Sequence, residues 1–169
     1  TDFIMPVYYL PLYAFARQDD TRFESNVNLL NDNQFTIAVL EGGATETIRD
    51  YLFPKSKAYA LPSLTSPAEL FTTLAQGKAD AAIYDLFTYN EFNVHNPGTI
   101  KQASSHAIKI FPNVMAIKYG EGDFRQMLSA ATLELHLSGE IEKIIHKHEK
   151  YPNAIYRVAA PYIVPAGAD

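Results

Sequence analysis

The 169-residue chain has no cysteine. That removes disulfides, thiolate catalysis and Cys-based metal sites together, leaves the redox compartment open, and fits an extracytoplasmic protein. Long apolar runs are missing too: no window approaches the roughly 18 to 20 consecutive apolar residues of a membrane span. Clustered cations are absent, since 14 Lys and Arg stand against 19 Asp and Glu for a net charge of -5. The Lys and Arg runs are short and scattered, which argues against nucleic acid as a partner, because phosphate-backbone binding needs clustered cations. Thr1-Asp2-Phe3 shows neither a basic n-region nor an apolar h-region, and reads as a processed or truncated end. No Gly-x-Ser-x-Gly elbow, P-loop, His-Glu-x-x-His or full dinucleotide fingerprint occurs. Gly120-Glu121-Gly122 lacks a third glycine and reads as a turn. The sequence calls for no cofactor and no enzymatic activity.

What is present describes a folded chain. With 47% hydrophobic and 20% charged residues, it is too apolar for a disordered chain, and its length suits one domain or one compact lobe with extensions. Phe3 to Phe15 is aromatic and apolar with Pro6 and Pro11 interrupting, which suits an extended edge segment. Arg17 to Gln34 is a polar loop with one helical turn. Phe35-Thr36-Ile37-Ala38-Val39-Leu40 is a β-branched run closed by glycines, a strand buried on both faces. A helix follows, capped by Thr45 and ending before Pro54, and then a strand over Lys57 to Leu61.

Ser66-Pro67-Ala68-Glu69 predicts a helix start with an N-cap Ser, Pro at the first position and a capping-box Glu. Gly77 ends that helix, and a strand from Asp80 to Tyr84 follows directly. After Asp85 a helix through Phe87 and Phe92 breaks at Asn96-Pro97-Gly98. Thr99 to Ala103 is a further strand, and Ala107 to Lys118 an extended segment. Asp123 caps a helix with Phe124, Met127, Leu128, Ala131 and Leu135 on one face; a second helix carries Ile141, Ile144 and Ile145 inward. Alternating strands and helices imply parallel pairing with right-handed crossovers, hence an α/β sandwich lobe.

Two corners draw the functional reading. Gly42-Gly43-Ala44-Thr45 offers backbone N–H groups at a helix start, where the macrodipole favours a carboxylate or phosphate, and the Thr45 hydroxyl adds a donor. A strand-glycine-helix corner serves plain turn geometry as often. Asp85 either caps the next helix or points toward a ligand ammonium. If the two strands are neighbours, an anion site and a cation site lie side by side, as a zwitterion needs. Asp80 reads as structural and Asp19-Asp20 as solvated loop carboxylates. His146 and His148, two apart on a helix, face different ways, so no metal site is expected. Eleven Tyr and ten Phe are many for this length. Tyr8, Tyr9 and Tyr13 are placed to cover a ligand, although core packing is the commoner use.

In order and spacing these segments resemble the type 2 periplasmic solute-binding proteins of the amino-acid ABC transporter class, bacterial extracellular solute-binding protein family 3. Asp2-Phe3 to Tyr8-Tyr9 resembles the segment entering the second lobe. Glu41 to Glu46 is similar to the strand-glycine-helix corner, Gly77 to Asp85 to the Gly-Lys-x-Asp-Ala strand ending in an acidic residue, and Met115-Ala116-Ile117-Lys118 with Leu137-Ser138-Gly139 to the return and closing helices. The likeness covers most of residues 2 to 150. Ala44 stands where the family's corner usually has a hydroxyl residue.

The resemblance implies a periplasmic-binding-protein-like type II lobe, a three-layer α/β sandwich with a mixed, mainly parallel sheet. Residues 1–169 would form one partial unit, with about 12–111 the compact second lobe, and 1–11 and 112–169 connecting strands and closing helices of the first. Most of that first lobe, with its carboxylate-clamping arginine, would precede Thr1. Asp85 would grip an α-amino group and the Gly43, Ala44 and Thr45 corner would help with a carboxylate, with Tyr8 a further contact. The expected function is extracytoplasmic capture of a small polar solute, an amino acid or related compound, for an ABC transporter whose membrane subunits are partners. A ligand-sensing domain of a signalling receptor, or a dehydratase-type enzyme on the same fold, is the alternative. Apolar surface at Phe3 to Phe15 and near Phe124 points to a dimer.

Overall fold

The computed structural model, described over residues 1–158, divides into a core unit, Pro11–Ile110, and a terminal unit built from Thr1–Leu10 and Phe111–Asp169. In chain order come β1 (Asp2–Phe3), β2 (Tyr8–Arg17), a single 3-10 turn (Val27–Leu30), β3 (Thr36–Leu40), α1 (Ala44–Leu52), β4 (Lys57–Leu61) and α2 (Ala68–Ala75). Then follow β5 (Ala81–Asp85), α3 (Leu86–His95), β6 (Ile100–Gln102), β7 (Lys109–Asn113), β8 (Ala116–Ile117), α4 (Gly122–Leu137) and α5 (Glu140–His148). No helix among the described residues is long and apolar enough to cross a membrane.

The main sheet runs β4-β3-β5-β2-β6, with β7 also pairing β2. It is mixed. β3 pairs in parallel with β4 from Thr36 beside Lys57 to Leu40 beside Leu61, and with β5 through Ile37 beside Ala81 and Ala38 beside Ala82. β2 is antiparallel to β5, Leu12 opposite Asp85, and antiparallel to β6. The edge placement expected for Phe3 to Phe15 is therefore corrected: β2 lies inside the sheet, and Leu12 to Ala16 are all buried. Pro11 is tolerated because the ladder with β5 starts one residue later, at Leu12.

Strand order fixes the layers. The step from β3 to β4 crosses the sheet one way, and the steps from β4 to β5 and from β5 to β6 cross it the other way. Right-handed crossovers then place α1 on one face and α2 and α3 on the other. Packing agrees: Tyr13, Phe15, Ala38, Ala82 and Ile100 form one cluster with Leu70, Phe71 and Leu74 of α2 and Phe92 of α3. Phe15 meets Phe71 edge-on at 5.1 Å and stacks on Tyr89 at 4.6 Å. By strand alternation, the fully buried Ile37, Val39 and Ile83 face the opposite side. Each such side chain contributes about 1.5–3 kcal/mol on leaving water.

α2 starts where Ser66-Pro67 predicts, but not by a capping box. Its first turn closes through backbone bonds, Glu69 N–H to Ser66 O at 2.9 Å and Leu70 N–H to Pro67 O at 3.1 Å, with no side-chain cap. Gly77 terminates it in the left-handed region, φ 70°.

In the terminal unit β1 pairs antiparallel with β8, and Tyr9 and Tyr156 exchange two backbone bonds of 2.8 Å. α4 begins one residue before the predicted Asp123 cap, which lies in its first turn. The buried side of α4 is Thr132 and His136, and His136 Nε2 donates to Pro6 O at 3.0 Å. The expected apolar face is largely open, with Phe124 45% and Met127 58% exposed. On α5 Ile141 and Ile145 are buried, whereas Ile144, expected inward, is 58% exposed. It sits about 100° around the helix from Ile145, off the buried arc. Arg157 locks α5 by pairing with Glu142 at 2.9 Å and Glu149 at 2.8 Å.

Candidate functional site

β3 and β5 are parallel neighbours, and the chain leaves them in opposite directions, β3 through α1 toward β4 and β5 through α3 toward β6. Where connections diverge in this way, the crevice outside the carboxyl ends of the strands is open to a ligand. The two corners singled out in the sequence flank that crevice: Gly42 to Thr45 follows β3, and Asp85 ends β5. Carrying the register to the strand ends sets Leu40 beside Tyr84 and Glu41 beside Asp85.

At the first corner Gly42 turns the chain in the left-handed region, φ 68°, and Gly43 is the residue before α1, extended at φ -94° and ψ 175°. The cap expected of Thr45 is corrected here. Thr45 lies inside the first turn, 2% exposed, and its Oγ1 accepts from Leu40 N–H at 2.9 Å, tying the helix start back to β3. Gly43 contributes no side-chain cap. Instead Glu46, one turn in, reaches back so that Gly42 N–H donates to its Oε2 at 2.7 Å, while Gly43 N–H donates to Leu40 O at 3.0 Å. Ala44 is exposed at the tip. The sequence reading missed Glu46, although a carboxylate in the first helical turn is the pattern the macrodipole favours.

At the second corner Asp85 is 8% exposed and caps α3: its Oδ1 accepts from Thr88 N–H at 2.8 Å and its Oδ2 from the Thr88 hydroxyl at 3.1 Å. The Asp-x-x-Thr spacing carried that signal. Burial first, and the Asp85 charge second, push the Tyr84 phenol above its ordinary value. Tyr8 starts β2 in the terminal unit and is half-buried.

Asp80 is structural, as expected: its carboxylate accepts from Thr36 N–H at 2.9 Å and pairs with Arg22 at 2.7 Å. Asp19 is solvated, but Asp20 is not. The Asp20 side chain is 2% exposed and held by Arg22 at 2.6 Å, because the loop folds back and Arg22 bridges two carboxylates while lying against the rings of Phe23 and Phe35. Arg22 holds the Asp20 carboxyl below its ordinary value. A recess of about 390 Å³ elsewhere in the core unit, lined in part by Phe23, Asn26, Phe53 and His106, contains none of the predicted residues. Among the described residues no group of three or more His, Cys, Asp or Glu could hold a metal ion.

No protein-family model and no curated protein matches the sequence. Solved structures do. A putative binding component of an ABC transporter from Wolinella succinogenes, complexed with lysine, is 19% identical over 94% of this chain and 63% of its own, with a TM-score of 0.72. An amino acid ABC transporter substrate-binding protein from Streptococcus pneumoniae, bound to L-arginine, is 22% identical over 86% of this chain and 60% of its own, TM-score 0.66. An ancestral amino acid-binding protein, a precursor of cyclohexadienyl dehydratase, is 19% identical over 86% and 60%, TM-score 0.66. The chain thus spans about three-fifths of the length of these structures. The arrangement of its sheet, crossovers and helices is the periplasmic-binding-protein-like type II α/β fold.

Proposed function

We propose that this chain forms part of a non-enzymatic extracytoplasmic protein that captures a small polar solute, an amino acid or a related compound, and presents it to the membrane subunits of an ABC transporter. The observation that carries the reading is the divergence of β3 and β5, which sets Asp85 and the Gly43, Ala44 and Thr45 corner on one crevice. Asp85 takes the ligand ammonium with carboxylate capacity beyond its two bonds to Thr88, since an ionised carboxylate has about four lone-pair sites. The Ala44 and Thr45 amides, in a helical turn without a side-chain cap, supply neutral donors. Tyr8 is a proposed contact in its own right, tested by Tyr8→Ala.

Calorimetric titration with a panel of amino acids and amines tests the reading. Binding of at least one, weakened about tenfold or more by Asp85→Asn, supports it. Affinities that all stay the same in Asp85→Asn reject it. The likeness to a dehydratase precursor keeps a second reading in view, and solute turnover during the same titrations would favour it. The exposed Phe124 and Met127 support self-association through α4, which sedimentation of the wild type and Met127→Lys tests.

A further inference from the structure

Asp85 has a neighbour of opposite charge two strands away. Leu12 of β2 lies opposite Asp85. On its other side Leu12 O accepts the Ile108 amide at 2.8 Å, which sets Ile108 opposite Leu12 and Lys109, the first residue of β7, opposite Pro11. As the chain runs from Ala103 to Ile108 its β2 partner moves back from Ala14 to Leu12, so β7 continues the antiparallel pairing and heads in the direction of β5. Lys109 therefore stands one residue farther along than Asp85 on the same edge of the core unit. Two strand spacings separate them, about 10 Å between backbones.

The two charges also share a side of the sheet. Tyr13, two residues from Pro11, packs in the cluster with α2 and α3. Side chains at alternate positions of one strand, and at directly opposite positions of neighbouring strands, share a face, so the exposed Lys109 belongs to that face. The Asp85 carboxylate is drawn to the same side by its two bonds to Thr88 in the first turn of α3. The start of α1 offers a solute carboxylate a weaker partner. Its Gly42 amide donates to Glu46 at 2.7 Å and its Gly43 amide to Leu40 O at 3.0 Å, which leaves neutral amides and no cation. A charge-assisted hydrogen bond is about twice as strong as a neutral one, so the carboxylate gains more at Lys109.

We infer that Lys109 is a specificity-determining residue of this wall, holding the solute carboxylate while Asp85 holds the ammonium. The solute then lies along the row from β5 across β2 to β7, and its class is small molecules that carry both charges. The inference rests on the solute-binding reading above and narrows it to zwitterions.

The test titrates two pairs of probes, each pair being one skeleton with and without its carboxylate: L-lysine with cadaverine, and L-leucine with isoamylamine. In the wild type an amino acid should bind about tenfold or more tighter than its amine. Lys109→Gln should close that gap by weakening the amino acid about tenfold and leaving the amine unchanged, whereas Lys109→Arg should keep it. Lys109→Glu should reverse it. Each variant retains a polar side chain at an exposed position, so an unchanged melting temperature separates these effects from misfolding. If Asp85→Asn weakens an amino acid, but the wild type shows no gap or Lys109→Gln and Lys109→Glu leave the gap unchanged, this inference fails and solute binding stands. If no amino acid or amine binds, or Asp85→Asn changes nothing, both fall together.

Discussion

Asp85 receives two hydrogen bonds from one residue, the amide and the hydroxyl of Thr88, at 2.8 and 3.1 Å. The side chain proposed to hold a ligand ammonium is thus also the N-cap of α3, and the two roles separate by substitution. Asp85→Asn keeps a good cap and removes the charge, so the melting temperature should move little while amine affinity falls. Asp85→Ala loses the cap as well and should cost about 1 kcal/mol of stability. Equal stability losses in the two variants by urea denaturation would contradict the capping role.

Arg22 joins Asp20 and Asp80 at 2.6 and 2.7 Å. Arg22→Ala leaves the buried Asp20 carboxylate unpaired, a loss of about 2 kcal/mol after allowing for the partial exposure of the guanidinium. Urea unfolding at pH 7 measures it, and an unchanged midpoint would refute it.

The same cluster sets an acid limb. The Arg22 hydrogen bond holds Asp20 below its ordinary value of about 3.8. The folded value is therefore the lower one, and the stabilisation is fully present above pH 3.8, then lost as pH falls through the folded value. Glu149 behaves alike under Arg157, starting from an ordinary value of 4.5. Stability below about pH 4 should fall less steeply in Asp20→Asn than in the wild type; parallel acid limbs would count against the linkage.

The two glycines of the first corner should differ in kind. Gly42 is in the left-handed region with open space around it, so Gly42→Ala costs about 1 kcal/mol of backbone strain and no clash. Gly43 has ordinary extended dihedrals, yet an added Cβ would meet Leu40 O at 3.1 Å. Gly43→Ala must therefore displace the corner. Hydrogen exchange at the first turn of α1 should rise more in Gly43→Ala, and an identical response would show that the corner is looser than drawn.

In the terminal unit His136→Ala removes the ring that donates to Pro6 O at 3.0 Å. The expected loss is about 1–3 kcal/mol, from the partly buried carbonyl left without its donor and the space left by the buried ring. Circular dichroism melting checks it.

Local patterns announced most of the fold. Thr36 to Leu40 and Ala81 to Asp85 formed strands where apolar, β-branched runs met turn residues, and Gly77 and Asn96-Pro97-Gly98 stopped their helices. β2 was misplaced because Pro11 and Pro6 read as edge signals, while the pairing that buries Leu12 to Ala16 comes from residues some 70 to 90 positions away. Ile144 and the open face of α4 failed for a related reason: periodicity says that residues share a stripe, not that anything covers it. At the candidate site the residues were legible and their hydrogen bonds were not. Thr45 bonds back to Leu40, and Glu46 takes the amide of Gly42, choices between near-equal local partners that composition does not decide.

The central position of β2 has a consequence for synthesis. A chain made from its amino end exposes Leu12 to Ala16 long before their partners exist, since Ile83 of β5, Lys101 of β6 and the Ser104 hydroxyl that receives the Ala14 amide all follow later. The core unit cannot close its sheet until about residue 104 has left the ribosome. Until then Leu12 to Ala16, all buried in the folded sheet, remain uncovered in the growing chain.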